Sequence, residues 1–143
     1  MLYINRSLSI LYRYGQRYLS SRLQEYELDV GQFPFLMRVY NHAGLTQEQM
    51  AAELGMDKGT VARGVAQLEA RGLIRRRPDE HDRRINHVYP TERAEALHPA
   101  MRGIVNDLHA ILYQELTEPE IARAAELIDR MTDHLRQQVD GSL

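Results

Sequence analysis

The sequence predicts a mainly α-helical chain carrying one small β-hairpin, and three observations lead there. Residues 29–72 hold short helical patterns bounded by capping residues and glycines. Residues 73–89 change to strand-like composition around the charge run RRRPDEHDRR (75–84). Both ends carry long apolar stripes at helical spacing. The 143 residues suit one subunit with a core that needs no disulfide or metal. The balance of 43% hydrophobic and 27% charged residues is that of a globular chain. No apolar run approaches the roughly 20 residues that cross a bilayer, so no membrane partner is expected. Without cysteine there is no disulfide scaffold, thiolate metal site or thiol redox chemistry, which agrees with a cytoplasmic location.

The first element is a helix. Arg6, Arg13, Arg17 and Arg22 precede the first acid, Glu25, as in a transit peptide. Against that reading, Leu8, Leu11, Tyr12, Gly15, Leu19, Leu23 and Tyr26 recur at three- and four-residue steps, an amphipathic stripe that wants a partner. Asp29 followed by Gln32 has the spacing of a capping box opening a second helix over Phe33, Leu36, Met37, Val39 and Tyr40. Pro34 disturbs its first turn and Gly44 closes it. Thr46 with Gln49 opens a short third helix through Met50, Ala51 and Leu54, which stops at Gly55. Asp57 caps a fourth, whose inward face is Val61, Val65 and Leu68 and whose end is Gly72.

The third and fourth helices meet across a tight turn, and Ala51, Gly55 and Val61 have the spacing of a helix-turn-helix. Ala51 is small where the helices touch, Gly55 admits a left-handed turn, and Val61 fills the joint. LIRRR and INHVY then read as strands flanking an exposed tip, so the hairpin is the wing of a winged helix-turn-helix. Charge is gathered here: Asp57 to Arg93 holds nine Lys or Arg against six acids, a local +3 in a chain of net −2. Pro78 and the acids shape the wing. Arg83 and Arg84 sit where a protruding hairpin places guanidinium groups in a narrow minor groove. Lys58, Thr60, Arg63 and Gln67 share the side of the fourth helix opposite its apolar face and are expected to meet the major groove. Arg63 suits a bidentate guanine contact and Lys58 a phosphate.

The stretch LTQEQMAAELGMDKGTVARGVAQLEARGLIRRRPDEHDRR resembles the MarR family of winged-helix transcriptional regulators, through its capped helix, recognition segment, LEARGL and the wing's DRR. The resemblance implies that Asp57 is a cap and that Thr60, Arg63 and Gln67 lie on the recognition face. It also implies that Asp82 buttresses the wing and that Arg84 enters the minor groove. The chain departs from the family at Gly59, in the first turn of the recognition helix, and in YPTERAEAL, where Pro90 and Ala94 alter the exit from the wing.

At the C-terminal end, Leu97, Met101, Ile104, Leu108, Ile111 and Leu112 make one stripe. After a break at Thr117 to Pro119, Ile121, Ala124, Ile128, Met131, Leu135 and Val139 make another with near-heptad spacing. The resemblance implies that 1–143 is a single subunit, with a DNA-binding portion at 29–93 and a helical dimerisation portion at 1–28 and 94–143. A homodimer would present two recognition helices to a pseudo-palindromic operator in double-stranded DNA. It further implies a small aromatic or phenolic ligand, for which Tyr12, Tyr14, Tyr18 and Arg17 on the first helix and Phe33, Met37, Arg38 and Tyr40 on the second are candidates.

Six histidines lack zinc-site spacing, so no metal or other cofactor is expected. Phosphate loops, G-x-S-x-G and cysteine nucleophiles are all missing, so no catalytic residue is expected and the chain does not read as an enzyme. Two functions remain: a ligand-responsive repressor, and a winged-helix module that contacts protein without binding DNA.

Overall fold

The computed structural model describes residues 3–141; Met1, Leu2, Ser142 and Leu143, at the outer ends of the two dimerisation ranges, lie outside the described residues. The order is α1 (Ile4–Leu23), a 3₁₀ turn (Gln24–Tyr26), α2 (Phe33–Asn41), α3 (Gln47–Leu54), α4 (Lys58–Ala70), β1 (Ile74–Pro78), β2 (Asn86–Pro90), α5 (Glu92–Leu112) and α6 (Glu118–Asp140). The fold is mainly helical, with one two-stranded antiparallel hairpin. The chain divides into two compact units, one through Leu108 and one from His109.

In the first unit the inward faces of α2, α3 and α4 meet around Leu36, Val39, Met50, Val61, Val65 and Leu68, all fully buried. Each such side chain contributes about 1.5–3 kcal/mol relative to leaving it in water. Leu23 and Leu28, Ile74 and Val88 from the hairpin, and Met101 and Ile104 from α5 complete this core. Helix α4 crosses α2 so closely that a Cβ on Gly64 would lie 2.2 Å from Cε2 of Phe35, so hydrogen is the one side chain that fits.

Three local expectations change. The first stripe does not continue as one helix to Tyr26: α1 stops at Leu23, and Glu27 takes a left-handed conformation at φ 55°. The amide of Leu28 bonds the carbonyl of Leu23 (3.3 Å), turning the chain so that both leucines enter the core. Asp29 and Gln32 form no capping box. Asp29 Oδ1 accepts from the Gly31 amide (2.7 Å), while Gln32, the residue before α2, is already helical and supplies no side-chain cap. Asp29 therefore shapes the turn before the helix, and Pro34 sits in a first turn whose amides have no intrahelical acceptor in any case. The strands begin one residue later than LIRRR and INHVY suggest, because Ile85 belongs to the tip, where its carbonyl accepts from the Asp79 amide (2.8 Å).

In the hairpin Ile74 pairs with Pro90, Arg76 with Val88, and Arg77 with His87. Period two sends Ile74 and Val88 inward and leaves Arg75, Arg77, His87 and Tyr89 on the other face. The altered exit from the wing proves well bonded. The Thr91 hydroxyl accepts from the Ala94 amide (3.2 Å) and donates to the Gly72 carbonyl (2.6 Å), and the Thr91 amide bonds Leu73 O (3.2 Å). Arg93 Nη1 donates to the Arg71 carbonyl (2.8 Å). Ala94 is fully buried, and the Tyr40 hydroxyl donates to its carbonyl.

In the second unit Thr117 and Glu120 form a full capping box at the start of α6, with Pro119 in the first turn, which accounts for the break between the two C-terminal stripes. No described residue from His109 onward is buried; Leu127, Ile128, Leu135 and Val139 are all exposed in the single chain. Among the described residues no helix is long and apolar enough to cross a membrane.

Candidate nucleic-acid interface

The turn between α3 and α4 is built as its sequence requires. The Gln49 amide donates to Thr46 Oγ1 (3.0 Å) and the Thr46 amide to Gln49 Oε1 (2.8 Å), closing the capping box. Gly55 ends α3 at φ 64°, a left-handed conformation, and the Met56 amide returns to the Ala51 carbonyl (3.0 Å). Ala51 is buried against the joint that the fully buried Val61 fills.

At the start of α4, Asp57 Oδ1 accepts from the Thr60 amide and Oδ2 from the Thr60 hydroxyl, each at 2.8 Å. These two bonds, the amide foremost, hold the Asp57 carboxyl below its ordinary range. Arg63 Nη2 donates to Thr60 Oγ1 (3.3 Å), so one hydroxyl links the helix cap to the exposed guanidinium. Lys58 is 80% exposed and lies 3.7 Å from Glu48, a loose surface pair. Gln67 is exposed, but its Oε1 accepts from Gln32 Nε2 (3.2 Å), a tether to the start of α2 that no sequence spacing announces.

In the wing, Asp82 meets Arg84 through Nε to Oδ1 and Nη2 to Oδ2, both 3.0 Å, and also accepts from the Arg84 amide (3.1 Å). The Arg84 pairing, then its amide, lowers the Asp82 carboxyl. The Arg84 side chain stays 90% exposed, so its carboxylate partner orients it without covering it. Arg83 is exposed and makes no ion pair among the described residues. An open depression of about 150 Å³ is lined by Lys58 on α4, Thr46, Gln47 and Glu48 at the start of α3, and Arg84, Ile85 and Asn86 on the wing. The structure thus brings Lys58 and Arg84, 26 positions apart in sequence, to one concavity.

Behind the tip lies a set of contacts that the sequence reading missed. His87 Nδ1 is 2.7 Å from the Gly44 carbonyl and Nε2 is 2.7 Å from Asp79 Oδ1. Asp79 Oδ2 accepts from the amides of His81 and Asp82, each at 3.0 Å. His87 foremost, then these amides, push the Asp79 carboxyl down to about 2. Arg76 reaches back from β1 to Glu69 on α4 (2.7 Å), fixing the wing to the recognition helix. The period-two pattern marks His87 only as a strand residue, since its partners come from two separate segments.

The candidate ligand residues are spread over two helices and differently engaged. Tyr12 is 66% exposed on α1, and exposed Arg17 lies over the Tyr14 ring at 5.1 Å. The Tyr18 hydroxyl accepts from Arg22 (2.6 Å), and Phe33 is buried. On α2, Met37 packs against the core and Arg38 pairs with Glu53 (2.9 Å). Tyr40 stacks on His98 with ring centres 3.9 Å apart. Burial, and secondarily Glu95, raises the Tyr40 phenol to about 12. Arg38 and Tyr40 therefore already have partners inside the body. Among the described residues no group of three or more His, Asp or Glu could hold a metal ion.

Residues 26–85 match the model of the MarR family. The chain is similar to a MarR transcriptional regulator from Methanosarcina mazei Go1, known from its crystal structure. The two are 36% identical with a TM-score of 0.81, over 92% of this chain and 94% of that one. It is also similar to an uncharacterized HTH-type transcriptional regulator of Bacillus subtilis (strain 168), YybA, at 27% identity over 114 residues, 80% of this chain and 76% of that protein. A mutant MarR from E. coli, solved in complex with operator DNA, is 25% identical with a TM-score of 0.78, over 90% of this chain and 92% of that one.

Proposed function

From the premise that this chain belongs to the MarR family of transcriptional regulators, not to any class of enzyme, we propose that it is a cytoplasmic, ligand-responsive repressor that binds a pseudo-palindromic operator as a homodimer. The observation that carries the DNA-binding reading is the concavity shared by Lys58 and Arg84, a recognition-helix cation and a wing cation turned to one side. In this reading Arg63, held by the Thr60 hydroxyl, reads a base edge in the major groove, and Lys58 contacts phosphate. Gln67 lies farther along the same face. Arg84, aimed by Asp82, enters the minor groove, with Arg83 beside it on the exposed tip. That a relative was solved on operator DNA supports the choice of partner.

The exposed apolar residues of α6 support the homodimer, since single soluble subunits seldom leave such stripes open to water. The ligand in this reading is a small aromatic or phenolic acid. Tyr12 and Met37 would supply apolar contact, with Tyr40 as a wall already fixed by its stack on His98. Arg17 would supply the charge, because Arg38 is taken by Glu53. Selection of bound sequences from a random duplex pool tests the whole: it should return two half-sites about 34–36 Å apart, one helical turn. Affinity for the selected duplex should also fall steeply with salt as counterions are released. No duplex binding even at low salt would leave the winged helix as a protein-contact module.

A further inference from the structure

His87 stands just behind the tip of the wing with both ring nitrogens committed. Nδ1 faces the Gly44 carbonyl and Nε2 faces Asp79 Oδ1, each at 2.7 Å. A carbonyl oxygen accepts and never donates, and the Asp79 carboxyl, held down near 2, is ionised at any pH the protein meets and accepts only. A neutral imidazole carries one N–H, so it satisfies one of these oxygens and turns a lone pair toward the other. The imidazolium, with two N–H groups, satisfies both.

The contacts continue beyond the ring in an unbroken series. Asp79 Oδ2 accepts from the amides of His81 and Asp82, and the Asp82 carboxylate holds Arg84 through two parallel bonds of 3.0 Å. The α2–α3 loop is thereby joined through His87 and Asp79 to the guanidinium at the wing tip. We propose that His87 is a positioning residue of the wing: as an imidazolium it ties the tip to the α2–α3 loop, so that protonation of one ring sets the aim of Arg84 and with it the affinity for DNA. This rests on the DNA-binding reading above.

The groups around the ring agree with this assignment. From the tip it meets Asp79 and from β1, as cross-strand neighbour, Arg77; on its own strand Tyr89 shares its face, under Arg75 at 4.7 Å. The α2–α3 loop offers Gly44 O and Thr46, neither of which titrates, and at its start His42, engaged by Glu53. On α2 Arg38 is also engaged by Glu53 and the Tyr40 hydroxyl by the Ala94 carbonyl, and on α3 and α4 Glu48 and Lys58 pair with each other. Burial opposes a second proton on the ring, but the bonds to Asp79 first and Gly44 next outweigh it and raise the ring above the ordinary 6.5. The clamp is closed below that raised value and opens as pH rises through it.

The test has two arms. In the free protein, NMR titration of the ring nitrogens should show His87 gaining its second proton above the ordinary histidine value, and Asp79→Asn should bring it down. A ring that titrates at or below the ordinary value in the wild type overturns the clamp, with no DNA involved. In the second arm, the duplex selected by the wild type is titrated by fluorescence anisotropy at constant ionic strength, from about pH 5.5 to about pH 8.5, a range that spans histidine. Wild-type affinity should fall about tenfold across the range, the worth of one charge-assisted hydrogen bond. His87→Gln should bind at the weaker level throughout, and Asp79→Asn should lose most of the dependence. The other histidines are common to all three proteins, so the comparison isolates His87. Equal pH profiles for wild type and His87→Gln overturn the positioning role. A wild type that binds no duplex at any pH and low salt overturns the DNA-binding reading itself, and the ring titration distinguishes that failure from failure of the clamp.

Discussion

At the scale of single residues, two positions lend themselves to direct tests. Gly64→Ala would set a methyl group 2.2 Å from the Phe35 ring, and both residues are buried, so neither backbone has room to retreat. Overpacking of this kind costs about 1–3 kcal/mol, to be read as a lower urea midpoint. Phe35→Leu in the same chain should restore part of the loss, and additive effects of the two substitutions would show that the close approach is not their cause. In the wing, Arg84→Ala should weaken binding to the selected duplex about ten- to a hundredfold, the scale of one specific contact. Asp82→Ala should weaken it less, and should add nothing once Arg84 is gone, because Asp82 acts only by orienting that side chain. Anisotropy titration of the four proteins decides between this and an independent role for Asp82. The Asp82–Arg84 pair was legible because two residues of one motif make it. Gly64 as a contact point was not, since helical spacing marks it as an inward position without saying which ring it meets.

At the scale of elements, the capping chemistry was the most legible part of the chain. Thr46 with Gln49 and Asp57 with Thr60 act locally, and their short spacing contains the whole interaction. Asp29 with Gln32 has the same spacing but caps nothing, because Gln32 itself precedes α2 in helical conformation and leaves Asp29 to bond Gly31. Thr46→Ala should destabilise the chain by about 1 kcal/mol, the worth of an N-cap, measured by urea unfolding; an unchanged midpoint would assign the capping of α3 to Gln49 alone. The acid limb of stability follows from the same local bonds. Asp57, Glu69, Asp79, Asp82 and Glu120 all have folded values below their ordinary ones. Each contributes stability that is present above its unfolded value and is lost as pH falls through the folded one. Thermal midpoints should therefore drop as pH falls below about 4, and Asp79→Asn should make that drop shallower, since Asp79 is displaced farthest, to about 2.

At the scale of the whole molecule, the mainly helical architecture and the position of the wing were legible because periodicity and turn residues carry them. The owners of the terminal stripes were not. Met101 and Ile104 enter the core of the first unit, whereas Leu135 and Val139 in the second stay open, and a one-dimensional pattern does not separate the two fates. If α6 meets a second copy, Leu135→Glu should convert a dimer to a monomer by light scattering and weaken duplex binding more than any single contact; an unchanged mass would place the dimer contacts elsewhere. The junction of α4 with α5 bears on how such a molecule would be switched. Three bonds from Thr91 and Arg93 fasten the first turn of α5 to the carbonyls of Arg71, Gly72 and Leu73 at the end of α4. Ala94, Met101 and Ile104 of α5 are buried in the same core as Val61, Val65 and Leu68 of α4. The joint is therefore a weld and not a hinge: α4 and the first part of α5 would turn together, and separating them would break all three bonds and open that core.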